Sequence, residues 1–237
     1  MIYVLISDSN VKQNSNEKRD CRIVRQPLSL LSPEIKEYVE NTKNESVRDE
    51  RRLAYTSLLC GLKSFFGIEK CEIKRSPKGK PYITNEHGEK CLFEGKEVYI
   101  GISHSNGVSA VCISNEGEVG VDIQTIIDAD VANRLSKRFF RNLNAKSSDL
   151  PIEYFRCEIT GDEAVIEGIE PVENITDSFT KNWVYAESVM KLMGGGFGDI
   201  SVINDEKILN EITTEIKKYV SDLSYYIAIS MKKYNIK

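Results

Sequence analysis

The run from Ile100 to Gln124, I-G-I-S-H-S-N-G-V-S-A-V-C-I-S-N-E-G-E-V-G-V-D-I-Q, constrains this chain more than any other part of it. Short β-rich pieces are broken at Asn106-Gly107, a strong hairpin signal, and again at Asn115-Glu116-Gly117. The pattern predicts strands over 98–102, 108–113 and 119–123. Apolar character stops abruptly at Ser103-His104-Ser105, so a serine and a histidine stand at the end of a strand. In the third strand Asp122 and Gln124 are two apart and share one face, while Val121 and Ile123 take the other. A lone aspartate in a run of valine and isoleucine is expected to be paired or to bind a cation.

The 237 residues allow one large domain or two small ones, and 41% apolar content is enough for a real core. A net charge of −4 gives no whole-chain argument for nucleic acid or a membrane surface. The apolar run 2–6 is too short for a signal segment, no stretch approaches a membrane span, and a cytoplasmic protein is expected. The six cysteines form no C-x-x-C pair and read as reduced structural thiols. With only His87 and His104 present, a histidine-rich metal site is excluded.

Outside the central run, 1–6 reads as a strand and 8–26 as a polar loop. Ser32-Pro33-Glu34 opens a helix with a capping pattern, and 53–66 is a strongly apolar helix ended by Gly67. Just before it, Arg48 and Arg52 fall on one helical face. They form either a solvated face with Asp49 and Glu50 as partners or an anion site, since arginine binds phosphate bidentately. A strand at 71–74 leads into the basic turn R-S-P-K-G-K-P-Y at 75–82. Asp128 or Asp130 caps a helix to about 142, with Arg134, Lys137, Arg138 and Arg141 as a basic stripe: a solvated face, or a docking surface for an acidic partner. Residues 145–178 carry nine Asp or Glu against Lys146 and Arg156 and read as a poorly packed insertion with two short strands around the Thr160-Gly161-Asp162 turn. A helix over 179–193 ends at Gly194-Gly195-Gly196, and strands are expected at 201–203, 212–219 and 225–231. The echo of V-S-A-V-C-I-S in Y-Y-I-A-I-S suggests two related halves, 1–118 and 119–237.

Four separated blocks, G-K-P-Y at 79–82, G-I-S-H-S at 101–105, V-G-V-D-I at 119–123 and W-V-Y-A-E-S-V-M-K-L-M-G at 183–194, resemble in order and spacing the Sfp-type 4'-phosphopantetheinyl transferases. The resemblance implies a pseudo-duplicated α+β fold, each half a small antiparallel sheet packed with helices. It also implies transfer of 4'-phosphopantetheine from coenzyme A to a serine hydroxyl of an acyl or peptidyl carrier protein, with Mg²⁺, releasing 3',5'-ADP. A monomer acting without nucleic acid or membrane is expected.

By position, Asp122 and Glu187 would be metal ligands, with Glu187 also a candidate base. Ser103 and His104 would hold the pyrophosphate, Lys191 would neutralise a phosphate oxygen, and Lys80 and Pro81 would lie against the nucleotide. The anion reading of Arg48 and Arg52 adds them to the coenzyme A site. Taken without that resemblance, Glu187 and Lys191 read as a surface i, i+4 ion pair. Two departures stand out: many members have an acidic residue where this chain has Gln124, and a lysine where it has Ala186. Gln124 can still coordinate through its amide oxygen, with less contribution to cation affinity. The rival readings are an inactive carrier-binding module and a metal-dependent nucleotide phosphohydrolase.

Overall fold

The computed structural model describes residues 1–8, 21–25, 31–139, 143, 145–160, 163–171, 177–195, 197–220 and 223–233. Its first strands are β1 (Ile2–Asp8) and β2 (Cys21–Arg25), followed by α1 (Pro33–Glu40) and α2 (Glu45–Phe66). Two small hairpins come next, β3 (Glu72–Arg75) with β4 (Pro81–Thr84), and β5 (Leu92–Phe93) with β6 (Lys96–Glu97). The central run makes β7 (Tyr99–Ser105), β8 (Val108–Ser114) and β9 (Val119–Thr125). After α3 (Ala129–Phe139) come β10 (Ile152–Thr160), β11 (Glu163–Gly168) and α4 (Ser178–Leu192), then α5 (Glu206–Asn210), β12 (Ile212–Val220) and β13 (Ser224–Lys232). The result is a mixed α+β protein. No helix among the described residues is long and apolar enough to cross a membrane.

Local chemistry accounts for most boundaries. The Ser32 and Asn44 side chains accept the Ile35 and Val47 amides and start α1 and α2, and Gly67, left-handed at φ 62°, stops α2. Asn106 and Gly107 both take positive φ, 48° and 85°, which closes the β7–β8 hairpin with the twist its strands need. Asp128 caps α3 through the Asp130 and Val131 amides.

A six-stranded sheet runs β2-β11-β10-β1-β8-β7, and a three-stranded sheet runs β12-β13-β9. The larger sheet therefore draws strands from both sides of residue 118. Segment 145–178 is not weakly packed: β10 pairs parallel with β1, and Tyr154, Cys157, Ala164 and Ile166 are buried. Its frequent glutamates are interleaved with those inward residues and hide the period of two. The loop expected over 8–26 contains β2, and 201–203 lies in the 3₁₀ segment Phe197–Asn204 rather than in a strand. Helix α2 begins eight residues before the expected start at 53. The thiols of Cys60, Cys71, Cys91, Cys112 and Cys157 are free.

The apolar core lies between α2 and the larger sheet, with a second cluster between the two sheets. Helix α4 lies on the smaller sheet so closely that a Cβ at Gly120 would collide with the Ser188 carbonyl oxygen and the Leu192 backbone nitrogen. A Cβ at Gly101, on β7, would come 3.0 Å from Val121 Cγ1 on β9, so the edges of the two sheets also touch. Gly120→Ala is expected to destabilise the fold by roughly 3 kcal/mol or to prevent folding, because backbone rather than a flexible side-chain tip stands in the way. Urea unfolding of the variant against wild type measures this, and an unchanged midpoint would contradict the packing.

Candidate active site

Strands β7 and β9 are the edges of their respective sheets, and edge strands carry unpaired backbone groups. Where these two edges meet, the Ser103 hydroxyl accepts the Ile123 amide at 3.2 Å and donates to Asp122 Oδ1 at 2.9 Å. A cavity of about 430 Å³ opens there, lined by β7, β9, α4, the first turns of α2, and the turn at 78–81. The ordered motif residues Lys80, Pro81, Ser103, His104, Asp122, Gln124, Glu187 and Lys191 all line it.

Lys191 does not pair with Glu187 as an i, i+4 bridge. Its ammonium donates to Asp122 Oδ1 at 2.6 Å and to Ser103 Oγ at 2.9 Å, tying α4 to both sheet edges. Asp122 is 5% exposed, and its second oxygen, Oδ2, is buried with no hydrogen-bond partner among the described residues. Burial pushes the Asp122 carboxyl upward, while Lys191, Ser103 and the Ile123 amide pull it down. Glu187 is pushed up to about 7, first by burial and then by the Asp122 charge. Two carboxyls thus face one space with one lysine between them. Among the described residues Gln124 reaches only its neighbour, donating to Thr125 Oγ1 at 3.4 Å.

Among the described residues, no group of three or more His, Cys, Asp and Glu gathers as a metal centre. The donors present are two carboxylates and one amide, all hard oxygen ligands, with Asp122 Oδ2 lacking any internal partner. That set suits a magnesium ion that keeps several waters, and does not suit a dehydrated all-protein cage.

The opposite wall is basic. The Arg51 and Arg75 guanidiniums each lie 4.4 Å from the centre of the Tyr38 ring, Arg75 donates to Tyr55 Oη at 3.2 Å, and Arg51 donates to Thr42 Oγ1 at 2.7 Å. Neither arginine has a carboxylate partner among the described residues, which leaves two positive charges facing the cavity. Lys80 donates to the Leu192 carbonyl at 2.7 Å, holding the end of α4, and burial lowers its affinity for a proton.

Arg48 and Arg52 are placed differently from Arg51. Arg52 is engaged by Glu40 at 2.8 Å and by Asp49, Arg48 lies 3.6 Å from Glu45, and neither lines the cavity. Arg51 and Arg52 both fall three and four residues before buried positions of α2, Ala54 and Tyr55 for one and Tyr55 and Thr56 for the other, so helix phase does not choose between them; packing against Tyr38 of α1 does. Glu50 also departs from the solvated-face reading: it is buried, accepting the Gly107 amide at 2.6 Å and holding His104 Nδ1 at 2.7 Å. Tyr38, Arg75 and Glu50 left no local signal, since their roles need α1, β3 and the β7–β8 turn to converge. Arg134 of the basic stripe is exposed, while the side chains of Lys137 and Arg138, and Arg141 entirely, lie outside the described residues.

A serine, two carboxylates and a lysine from three ordered blocks share one cavity with Lys80 and Pro81 of a fourth. The chain is similar to 4'-phosphopantetheinyl transferases. It is 28% identical over 134 residues to slr0495 of Synechocystis sp., assigned to those transferases by name, covering 56% of this chain and 44% of that protein. It is 26% identical over 113 residues to the 4'-phosphopantetheinyl transferase AcpT of Salmonella typhimurium, covering 48% of this chain and 49% of the relative. The AcpT of Salmonella typhi matches to the same extent. The aligned part spans about half the length of these curated relatives. No family model matches the chain.

The raised Glu187 carboxyl sets a sign for stability. Its folded value, about 7, lies above the 4.5 of an unperturbed glutamate, so the native state binds this proton more tightly than the unfolded chain. The stability this contributes is complete below about 4.5 and is lost as pH rises through 7. Glu187→Gln cannot ionise, so without divalent metal it should gain roughly 2 kcal/mol over wild type between pH 5 and pH 8. Urea melts at the two pH values read the difference, and a pH-independent difference would refute the raised carboxyl.

Proposed function

We propose that this chain moves the 4'-phosphopantetheine of coenzyme A to a serine hydroxyl of an acyl or peptidyl carrier protein, with Mg²⁺, releasing 3',5'-ADP and acting as a monomer of the Sfp type. The observation that carries the reading is the convergence of Ser103, Asp122, Glu187 and Lys191 on one cavity from separated motif blocks. The matching orders β1-β8-β7 and β9-β13-β12 support two related halves, each led by its first strand and closed by a hairpin.

Asp122 and Glu187 would hold the metal, with the Gln124 amide oxygen beside them, and a bound Mg²⁺ would neutralise charge on the pyrophosphate. Lys191, already fixed by Asp122 and Ser103, would donate to a phosphate oxygen without reorganising. Arg51 and Arg75 form the wall for the remaining phosphate charge, replacing Arg48 and Arg52 in that role. Lys80 would act through the end of α4 and Pro81 through the shape of the turn. Glu187, facing the cavity beside the metal position, would take the proton from the carrier serine as its oxygen attacks phosphorus. Exposed Arg134 supports docking of an acidic carrier beside α3.

Incubation with coenzyme A, Mg²⁺ and a panel of apo carrier proteins, read by intact mass, tests the proposal. One carrier should gain a single phosphopantetheine, and Asp122→Asn should abolish the gain. Gln124→Glu should tighten Mg²⁺ binding to the free protein by about tenfold, a carboxylate replacing a dipole, as read by calorimetry. Coenzyme A hydrolysis with no modified carrier would favour the phosphohydrolase, and carrier binding without mass gain the inactive module.

A further inference from the structure

The buried carboxylate of Glu50 has no part in the chemistry above, yet it is the most completely engaged acidic group beside the cavity. It sits in the first turns of α2, 5% exposed, and both of its oxygens are committed: Oε1 to the Gly107 amide at 2.6 Å and Oε2 to His104 Nδ1 at 2.7 Å. Gly107 closes the β7–β8 hairpin, so a single side chain ties α2 to the turn and to the ring two strand positions before it. We infer that Glu50 is a positioning residue for ligand binding, holding the His104 ring by Nδ1 so that Nε2 is presented to a phosphate oxygen in the cavity. The identity of that ligand as coenzyme A rests on the transferase reading above.

The chemistry is specific. A carboxylate only accepts, so Nδ1 carries the hydrogen, and the neutral ring keeps its lone pair on Nε2. A phosphate oxygen also only accepts. The ring can engage it once Nε2 is protonated too, and a carboxylate on the far side of the imidazole stabilises that imidazolium. In the free protein, burial lowers the proton affinity of His104; Glu50 raises it, and Arg51 from α2 and Lys191 from α4 lower it further. Asp122 on β9 and Glu187 on α4 line the same cavity. An incoming phosphate brings the negative charge that reverses this balance. A histidine left without Glu50 would be free to turn its donor elsewhere, and the Gly107 amide would lose its bond to α2.

Imidazole ¹⁵N NMR of the wild-type protein at pH 7.5 should show His104 protonated at Nδ1 and bare at Nε2, and protonated at both nitrogens on saturation with coenzyme A. Glu50→Gln offers one carbonyl oxygen to two donors, so the ring should lose its single tautomer and coenzyme A should bind about tenfold more weakly. In a His104→Ala background the same substitution should cost nothing further, because Glu50 acts through the ring. A wild-type ring protonated at Nε2 alone would overturn the inference, whether or not the variant folds, as would an equal loss of affinity with and without His104. Inorganic pyrophosphate serves as a second probe. A wild type that binds pyrophosphate but not coenzyme A overturns the transferase reading and leaves the Glu50 test standing; one that binds neither overturns both.

Discussion

The bond from Lys191 to Asp122 closes the site, and most of the surrounding architecture exists to make it possible. Lysine and aspartate lose hydration when they are brought together in the interior, and the attraction offsets that loss only with close contact and further hydrogen bonds. Contact at 2.6 Å, with Ser103 bridging both groups, meets the requirement on one oxygen of Asp122 and leaves Oδ2 without a partner among the described residues. Buried Asp122 is thus only half satisfied, a costly arrangement in a part of the protein selected for stability alone. It is consistent with a carboxylate that keeps an oxygen for a cation. The approach of α4 to β9 at Gly120 is what brings the lysine down to that level, since any side chain there would hold the helix away from the strand.

The second constraint is the meeting of two sheet edges. Edge strands are a hazard when exposed, and here each edge faces the other and is covered by helices. Ser103 substitutes for a missing ladder partner by accepting the Ile123 amide, so the residue that organises the ion pair also completes the backbone bonding of β9. A buried carboxylate on β12 fastens the sheets at another point: Glu215 accepts the Tyr154 hydroxyl at 2.8 Å and the Leu150 amide at 2.6 Å. Glu215 has both oxygens engaged, whereas Asp122 Oδ2 has no partner among the described residues, and the difference separates scaffold from site between two buried acids.

The two walls of the cavity divide the chemistry. One carries carboxylates competing for a single lysine, and the other carries Arg51 and Arg75 flanking Tyr38, with no carboxylate among the described residues to neutralise them. An elongated polyanion with a metal on one part of it suits both walls together better than a neutral substrate would. Similarity over half the length of known transferases and the ordered motif blocks point in the same direction.

Much of this was legible in the chain alone where a signal was local. Ser103, His104, Glu187 and Lys191 are singled out as site residues only by the family resemblance of their motif blocks, whereas the strand-turn-strand run at Ile100–Gln124, the shared face of Asp122 and Gln124, and the caps at Ser32 and Gly67 follow from period and turn chemistry. Such features depend on residues within one element, whose geometry the backbone fixes. Tertiary structure alone decided that Lys191 bonds to Asp122 and not to Glu187 four residues away, that Glu50 turns inward to His104, and that Arg51 rather than Arg52 faces the cavity. It also decided that the two strands read in acidic segment 145–178 join the main sheet, one of them parallel to β1. In each case the competing partners are equally available in sequence, and the choice rests on which element packs against which, through contacts separated by tens of residues that no local pattern encodes.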